Sequence, residues 1–235
     1  MPDRQPVVFS WSGGKDSALA LYELQKSDRY EIVALLTTVA DQYRRVSHHG
    51  VREELLDAQA DAIGLPLDKL YLPTGESDAC TFEQYEDLMG RKMAEYCDAG
   101  VPLVVHGDVF LQDLRAYREN KLATLGMKAL FPLWQRDTTE LVDTFIRLGF
   151  QAYVTCVDGE KLPASFAGRA IDAAFVRDLP EGVDPCGENG EYHSFVCDGP
   201  IFRRPLDVRV GETVSREGRH FVDLLPGDAP AGEGA

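Results

Sequence analysis

Apolar and polar positions along the first half of the chain switch repeatedly between a strand-like run and a helical period. Residues 6–11 (Pro-Val-Val-Phe-Ser-Trp) form a β-branched and aromatic run, and from Asp16 to Leu24 apolar residues recur at helical spacing, which predicts strand, tight loop, helix. Residues 32–39 are almost continuously apolar, as in a strand buried on both faces of a parallel sheet. Val51, Leu55, Ala58, Ala62 and Ile63 line one face of a helix that Gly64 and Pro66 stop, and residues 67–72 read as a third strand. A long helix is expected from Thr81 to about Asp98, with Phe82, Tyr85, Met89, Met93 and Tyr96 on its apolar stripe, followed by a fourth strand over 101–106. Such alternation implies right-handed βαβ crossovers, an α/β fold with a parallel sheet, and ligands at the carboxyl ends of the strands.

The pattern changes near Phe131-Pro132-Leu133-Trp134, where a boundary divides residues 1–130 from 131–226. Asp137 with Glu140 three residues later opens a capped helix carrying Leu141, Phe145 and Leu148. Residues 151–157 read as a strand and about 166–176 as a helix. Residues 192–196, 202–210 and 220–225 read as short strands of an antiparallel appendage. The stretch 227–235, rich in Gly, Ala, Pro and acidic residues, is expected to be a flexible tail.

Composition narrows the function classes. The net charge of −15 argues against a general nucleic-acid surface, since Lys and Arg supply most non-specific affinity for phosphate backbones. No apolar run approaches the length of a membrane helix, and the first residues contain no hydrophobic signal region, so a cytoplasmic location is expected. Five cysteines, none in Cys-x-x-Cys spacing, indicate neither a disulfide framework nor a zinc ribbon.

Chemistry concentrates first in Ser12-Gly13-Gly14-Lys15-Asp16-Ser17. A strand that delivers two glycines to a helix start makes an anion site: glycine lets backbone approach a phosphate, and the helix N-terminus adds partial positive charge. Lys15 contributes a full charge, Ser12 and Ser17 contribute hydroxyls, and Asp16 is the candidate ligand for a magnesium ion shared with phosphate oxygens. The spacing is neither a Walker A loop nor Gly-x-Gly-x-x-Gly. The hexapeptide in this strand–helix setting resembles the signature of the PP-loop, or adenine nucleotide α-hydrolase-like, ATP pyrophosphatases.

The segments His49-Gly50-Val51-Arg52, Gly107-Asp108-Val109-Phe110, Phe131-Pro132-Leu133-Trp134 and residues 184–195 (Asp-Pro-Cys-Gly-Glu-Asn-Gly-Glu-Tyr-His-Ser-Phe) resemble the diphthine–ammonia ligase family, and the wording of 111–118 resembles its bacterial branch. The resemblance implies a Rossmann-like (HUP-type) ATP domain with helices on both faces of the sheet and a smaller C-terminal α/β substrate domain. It also implies a reaction in which ATP adenylates a carboxylate, releasing pyrophosphate, for attack by ammonia. ATP and Mg2+ are the implied cofactors. The nucleotide set is Ser10, Ser12, Gly13, Gly14, Lys15, Asp16, Ser17, Thr37, His49, Gly107 and Asp108; the catalytic set is Lys15, Asp16, Glu188, Glu191 and His193.

Each of these assignments has a plainer alternative. Glu188, Glu191 and His193 either converge on a cleft, where a carboxylate handles ammonium and His193 takes a proton, or form an acidic turn entering a strand. Arg115 and Arg118 either clamp an anion or lie in solvent. Two rival functions stand beside the ligase: a tRNA-modifying PP-loop enzyme, disfavoured by the charge and the missing Cys-x-x-Cys, and a nucleotide-binding sensor without turnover. The sequence leaves open the acid and homo-oligomeric assembly.

Overall fold

The computed structural model describes residues 4–46, 50–73 and 80–227, so His49 and the tail 228–235 lie outside the described residues. Its first part runs β1 (Gln5–Ser10), α1 (Lys15–Gln25), β2 (Tyr30–Ala40), β3 (Arg45–Val46), α2 (Glu53–Ile63), β4 (Leu67–Leu72), α3 (Phe82–Asp98), β5 (Leu103–Val105), α4 (Gln112–Ala123) and β6 (Lys128–Leu130). The second part comprises α5 (Thr138–Arg147), β7 (Gln151–Asp158), a 3-10 turn (Ala164–Phe166), α6 (Ala173–Asp178), β8 (Tyr192–Asp198), β9 (Val208–Arg216) and β10 (Arg219–Pro226). Among the described residues no helix is long and apolar enough to cross a membrane.

The first sheet has β1 at its centre, parallel to β2 on one side and β5 on the other, with β4 outside β2 and β6 outside β5. This is the parallel sheet expected from the apolar runs and the Rossmann-like arrangement that the family resemblance implies, and the switch between β1 and β5 opens a crevice at their carboxyl ends. Short β3 runs antiparallel to the end of β2. The second sheet, ordered β8-β7-β10-β9, is antiparallel throughout.

The two faces of the first sheet are packed differently. Helices α1 and α2 each bury seven residues, joining a core that continues through Phe145, Phe150 and Phe195 into the second sheet. On the other face, Met93 is the buried residue of the 17-residue α3 and Leu122 that of the 12-residue α4. Phe82, expected on the apolar stripe, is 66% exposed, although Thr81 and Gln84 form the capping box that starts the helix there.

Two other expectations are corrected. The helix foreseen over 166–176 is interrupted, because Gly168 takes φ +82° and the chain then pairs with β7 through Ala170 and Ile171 before Asp172 caps α6. The strand foreseen over 202–210 begins only at Val208; before it the chain turns, held by Arg203 N–H on the Ala62 carbonyl and Leu206 N–H on the Cys197 carbonyl.

Candidate functional site

Strand β1 ends at Ser10, and the chain turns into α1 through Gly13 at φ +77° and an extended Gly14. Only glycine fits at position 13: an added Cβ would lie 2.9 Å from both Gln59 Oε1 and Leu56 Cδ2. Gly107, just past β5, faces the same constraint from outside, since its Cβ would lie 3.0 Å from the Ser17 nitrogen. The crevice between β1 and β5 is therefore closed down onto the first turn of α1. Inside the loop Ser12 Oγ accepts from Gly14 N–H at 3.2 Å and contacts Ser17 Oγ at 3.1 Å, while Ser17 donates to the Gly14 carbonyl at 2.9 Å.

The C-terminal sheet completes this loop. Val196 N–H donates to the Gly13 carbonyl at 2.9 Å and Lys15 N–H donates to Ser194 Oγ at 3.1 Å. Gln59, fully buried on α2, ties the pieces: it accepts from Trp11 Nε1 at 2.8 Å and donates to the carbonyls of Gly13 at 3.1 Å and Val196 at 2.6 Å. Gln59 was not singled out in the sequence, yet a polar residue four positions after Leu55 on the apolar face of an amphipathic helix was the available signal.

Lys15 is 4% exposed, and its ammonium donates to the Asp16 carboxylate at 2.7 Å and to the Cys186 carbonyl, 5.1 Å from the Tyr192 ring centroid. Burial works to lower its pKa, but the Asp16 carboxylate outweighs that and raises it, so the group stays charged. Its charge thus reaches the cavity already paired with Asp16, and it pins the 184–188 turn to the loop. The Cys186 thiol, donating to the Thr138 carbonyl, is pushed up to about 12 by burial and is an inert core group.

A cavity of about 760 Å³ opens from the loop. Ser10, Ser12, Gly14, Lys15, Asp16, Ser17, Thr37, Gly107, Asp108, Glu188 and His193 all border it, so the structure gathers most of the expected site residues. Gly13 lies behind the wall, acting through its conformation and carbonyl. Glu188 accepts from Val109 N–H at 2.7 Å; burial, then the charge of Asp16, pushes its carboxyl up to about 7. Asp108 pairs with Arg118 at 2.9 Å, and burial raises its pKa too. Arg118 also donates to His106 Nδ1 at 3.0 Å, which places the imidazole proton on Nε2; burial and that guanidinium hold His106 neutral.

Glu191 does not border the cavity. It is 3% exposed, and its Oε1 accepts from Asp184 N–H at 3.3 Å and from the Asn189 amide at 3.1 Å, so this carboxylate braces the glycine-rich turn instead of facing ligand. Glu191 lies before β8, where its carboxylate is taken up by the turn it closes, whereas His193 stands within the strand on the cavity wall. Arg115 also stays away from the cavity, stacked 4.5 Å from the Trp134 ring and paired with Glu119.

At the β2 end of the cavity the strand ladders leave a gap. The pairing of β1 with β2 stops at Ser10 and Leu36, and that of β3 with β2 starts at Val39, so neither ladder uses that edge of β2 at Thr37 and Thr38. Thr37 Oγ1 is buried there without a hydrogen-bond partner. Among the described residues no group of three or more His, Cys, Asp or Glu is arranged to hold a metal by itself.

With this geometry in view, comparison with known proteins is specific. Residues 5–129 match the diphthamide synthase N-terminal domain and residues 137–225 the diphthamide synthase C-terminal domain. The diphthine–ammonia ligase of Danio rerio is 29% identical over 241 residues, covering 93% of this chain and 92% of the relative. The Homo sapiens diphthine–ammonia ligase is 28% identical over 236 residues, covering 91% and 86%.

Proposed function

This chain belongs to the diphthamide synthase family, and from that premise we propose that it is an ATP-dependent carbon–nitrogen ligase that adenylates a carboxylate and passes the acyl group to ammonia. The observation that carries the reading is the closure of the 184–196 segment onto the glycine loop, through Lys15, Gly13 and Ser194, so that the acid groups of one half border the phosphate site of the other.

The chemistry follows from what each group can do. A carboxylate oxygen attacks the α-phosphorus of ATP, the bond to the β-phosphate oxygen breaks, and pyrophosphate leaves with its new charge met by the N–H groups of the loop and the start of α1. Ammonia then attacks the acyl carbon; AMP departs and one proton is lost, giving the amide. Because ammonium is not a nucleophile, that proton and the one from ammonium need an acceptor. Glu188, with its carboxyl near 7, is placed to take one, and His193 on the same wall is the second candidate.

The nucleoside fits the gap at Thr37 and Thr38, where strand-edge groups and a buried hydroxyl meet a base edge. Asp16 suits a magnesium ion: its carboxylate is 29% exposed and keeps lone pairs beyond those used by Lys15, and one carboxylate with phosphate oxygens and water is the usual set for this ion. Bound there, the ion would neutralise pyrophosphate charge.

Incubation of the purified protein with ATP, magnesium and ammonium, with and without a pool of carboxylic acids, tests the reading. AMP and pyrophosphate in equal amounts, rising with acid, are expected. ADP and phosphate, or ATP binding with no turnover under any acid, would replace it with an ordinary ATPase or a nucleotide sensor.

A further inference from the structure

Past β5 the chain is gripped residue by residue. Gly107 is pressed onto the first turn of α1. At the next position the Arg118 guanidinium, on α4, holds the Asp108 carboxylate by both oxygens, Nε to Oδ2 at 2.9 Å and Nη2 to Oδ1 at 3.2 Å, while its Nη1 donates to His106 Nδ1 at 3.0 Å. The His106 ring is stacked on Phe131 with centroids 5.5 Å apart, so the guanidinium cannot swing without losing all three contacts. One residue on, the Val109 carbonyl accepts from Gln135 N–H at 2.7 Å, and the Val109 N–H donates to Glu188 at 2.7 Å. That N–H lies in the peptide plane shared with Asp108, so the backbone of Asp108 sets its direction.

We propose that Arg118 is the positioning residue of the proton acceptor: its fork fixes Asp108, and through Asp108 the Val109 N–H that holds Glu188 at the cavity wall. The inference rests on the reading of Glu188 as the acceptor and adds what keeps it in place. A guanidinium that meets a carboxylate with two N–H groups sets orientation as well as distance, which a single ammonium does not. The charged groups acting most on Glu188 are Asp16 and Lys15 of α1 and Asp108 itself, so a change confined to Arg118 reaches Glu188 chiefly through Asp108 and Val109. The distance from Glu188 to a reacting nitrogen is then governed from α4, by a residue that need not touch substrate. Displacement of a proton acceptor by a fraction of an ångström is enough to slow the step it serves.

Nuclear magnetic resonance of the nitrogen-15-labelled full-length protein reads the placement directly. The Val109 amide proton should follow pH through about 7 with Glu188, and the loss of that response in Glu188→Gln identifies the signal. Arg118→Met should abolish the response and speed exchange of this amide at least about tenfold. Function is read as the ratio of AMP release supported by ammonium to that supported by hydroxylamine, with ATP, magnesium and a mixed pool of carboxylic acids. Hydroxylamine is already neutral near pH 7 and sheds no ammonium proton, so a misplaced Glu188 should lower the ratio by about fivefold or more, whereas loosened structure lowers both rates alike. Arg118→Lys keeps the charge without the fork and should recover less than about half of the loss. Where Arg118→Met does not fold, Asp108→Asn, which weakens the grip and keeps the shape, should give the same signs. An unchanged Val109 amide in both variants, equal loss of both rates, or full recovery with Arg118→Lys overturns the proposal. An unchanged ratio in Glu188→Gln, or no AMP from the unaltered protein with either nucleophile, overturns instead the reading beneath it, and the positioning role falls with that reading whatever Val109 shows.

Discussion

The carboxamide of Gln59 and the carbonyl of Gly13 are 3.1 Å apart, although 46 residues separate them along the chain. That contact, with those to Trp11 and Val196, spends every polar atom of a fully buried side chain on holding the phosphate loop to strand β8. Replacing Gln59 with Leu would strand the Trp11 N–H and take a donor from the carbonyls of Val196 and of Gly13, the latter keeping the Val196 N–H, at about 1–3 kcal/mol for each group left unsatisfied. We expect a Tm several degrees lower and a KM for ATP raised at least about tenfold, with Gln59→Glu failing to rescue because it accepts where donors are needed. Thermal melts and steady-state AMP release check this.

Lys15→Met removes the ammonium that neutralises Asp16 and pins the Cys186 carbonyl, while keeping most of the apolar volume. A partner left alone in a buried pair is costly, so turnover should fall by about 100-fold or more and the melting temperature should drop. Unchanged AMP release would show that neither the charge nor the pin matters to the reaction.

Glu188 gives a signed pH dependence. Its carboxyl sits near 7 in the folded chain against 4.5 ordinarily, so between these values the folded state holds a proton that the unfolded chain has lost. Its contribution to stability therefore declines as pH rises from about 4.5 to about 7, while its capacity to accept a proton rises over the upper part of that window. AMP formation with ammonia should climb through pH about 7, and Glu188→Gln should flatten that limb and slow amide release at pH 8. A profile identical in the variant would remove Glu188 from the proton path.

Gly107→Ala tests the closeness of the two strand ends. The new methyl would press on backbone atoms of Asp16 and Ser17, which cannot rotate away as a side-chain tip can. ATP affinity should fall at least about tenfold, whereas Gly126→Ala, where nothing lies within 4 Å, should cost only the strain of its φ of +72° and leave ATP affinity alone. Titration of both variants by calorimetry separates the two effects.

Glu191→Gln should keep the rate of amide formation within about twofold, because Oε1 can still accept from Asp184 and Asn189. His193→Ala, at the cavity wall, should lower it by more.

The parallel sheet and the glycine loop were legible because their residues answer to local rules: continuous apolar strands, and glycines before an amphipathic helix. Strands β3 and β6, of two and three residues, were too short to show a period, and the break at Gly168 depends on pairing with β7 across the fold. The site was legible where motif and cavity coincide, as at Asp16, Glu188 and Gly107. It was not legible at Gln59, whose partners come from two distant segments, nor at Glu191, whose carboxylate is taken up by the Asp184 N–H and the Asn189 amide of its own turn.

The contact of Lys15 N–H with Ser194, across 179 residues, also bears on timing during synthesis. The glycine loop is made before strand β8, so its last hydrogen-bond partners follow only when that strand has emerged. A chain whose synthesis has not reached residue 196 thus carries the loop without its frame, and the closure between them is a long-range contact that local folding of the first segments cannot supply.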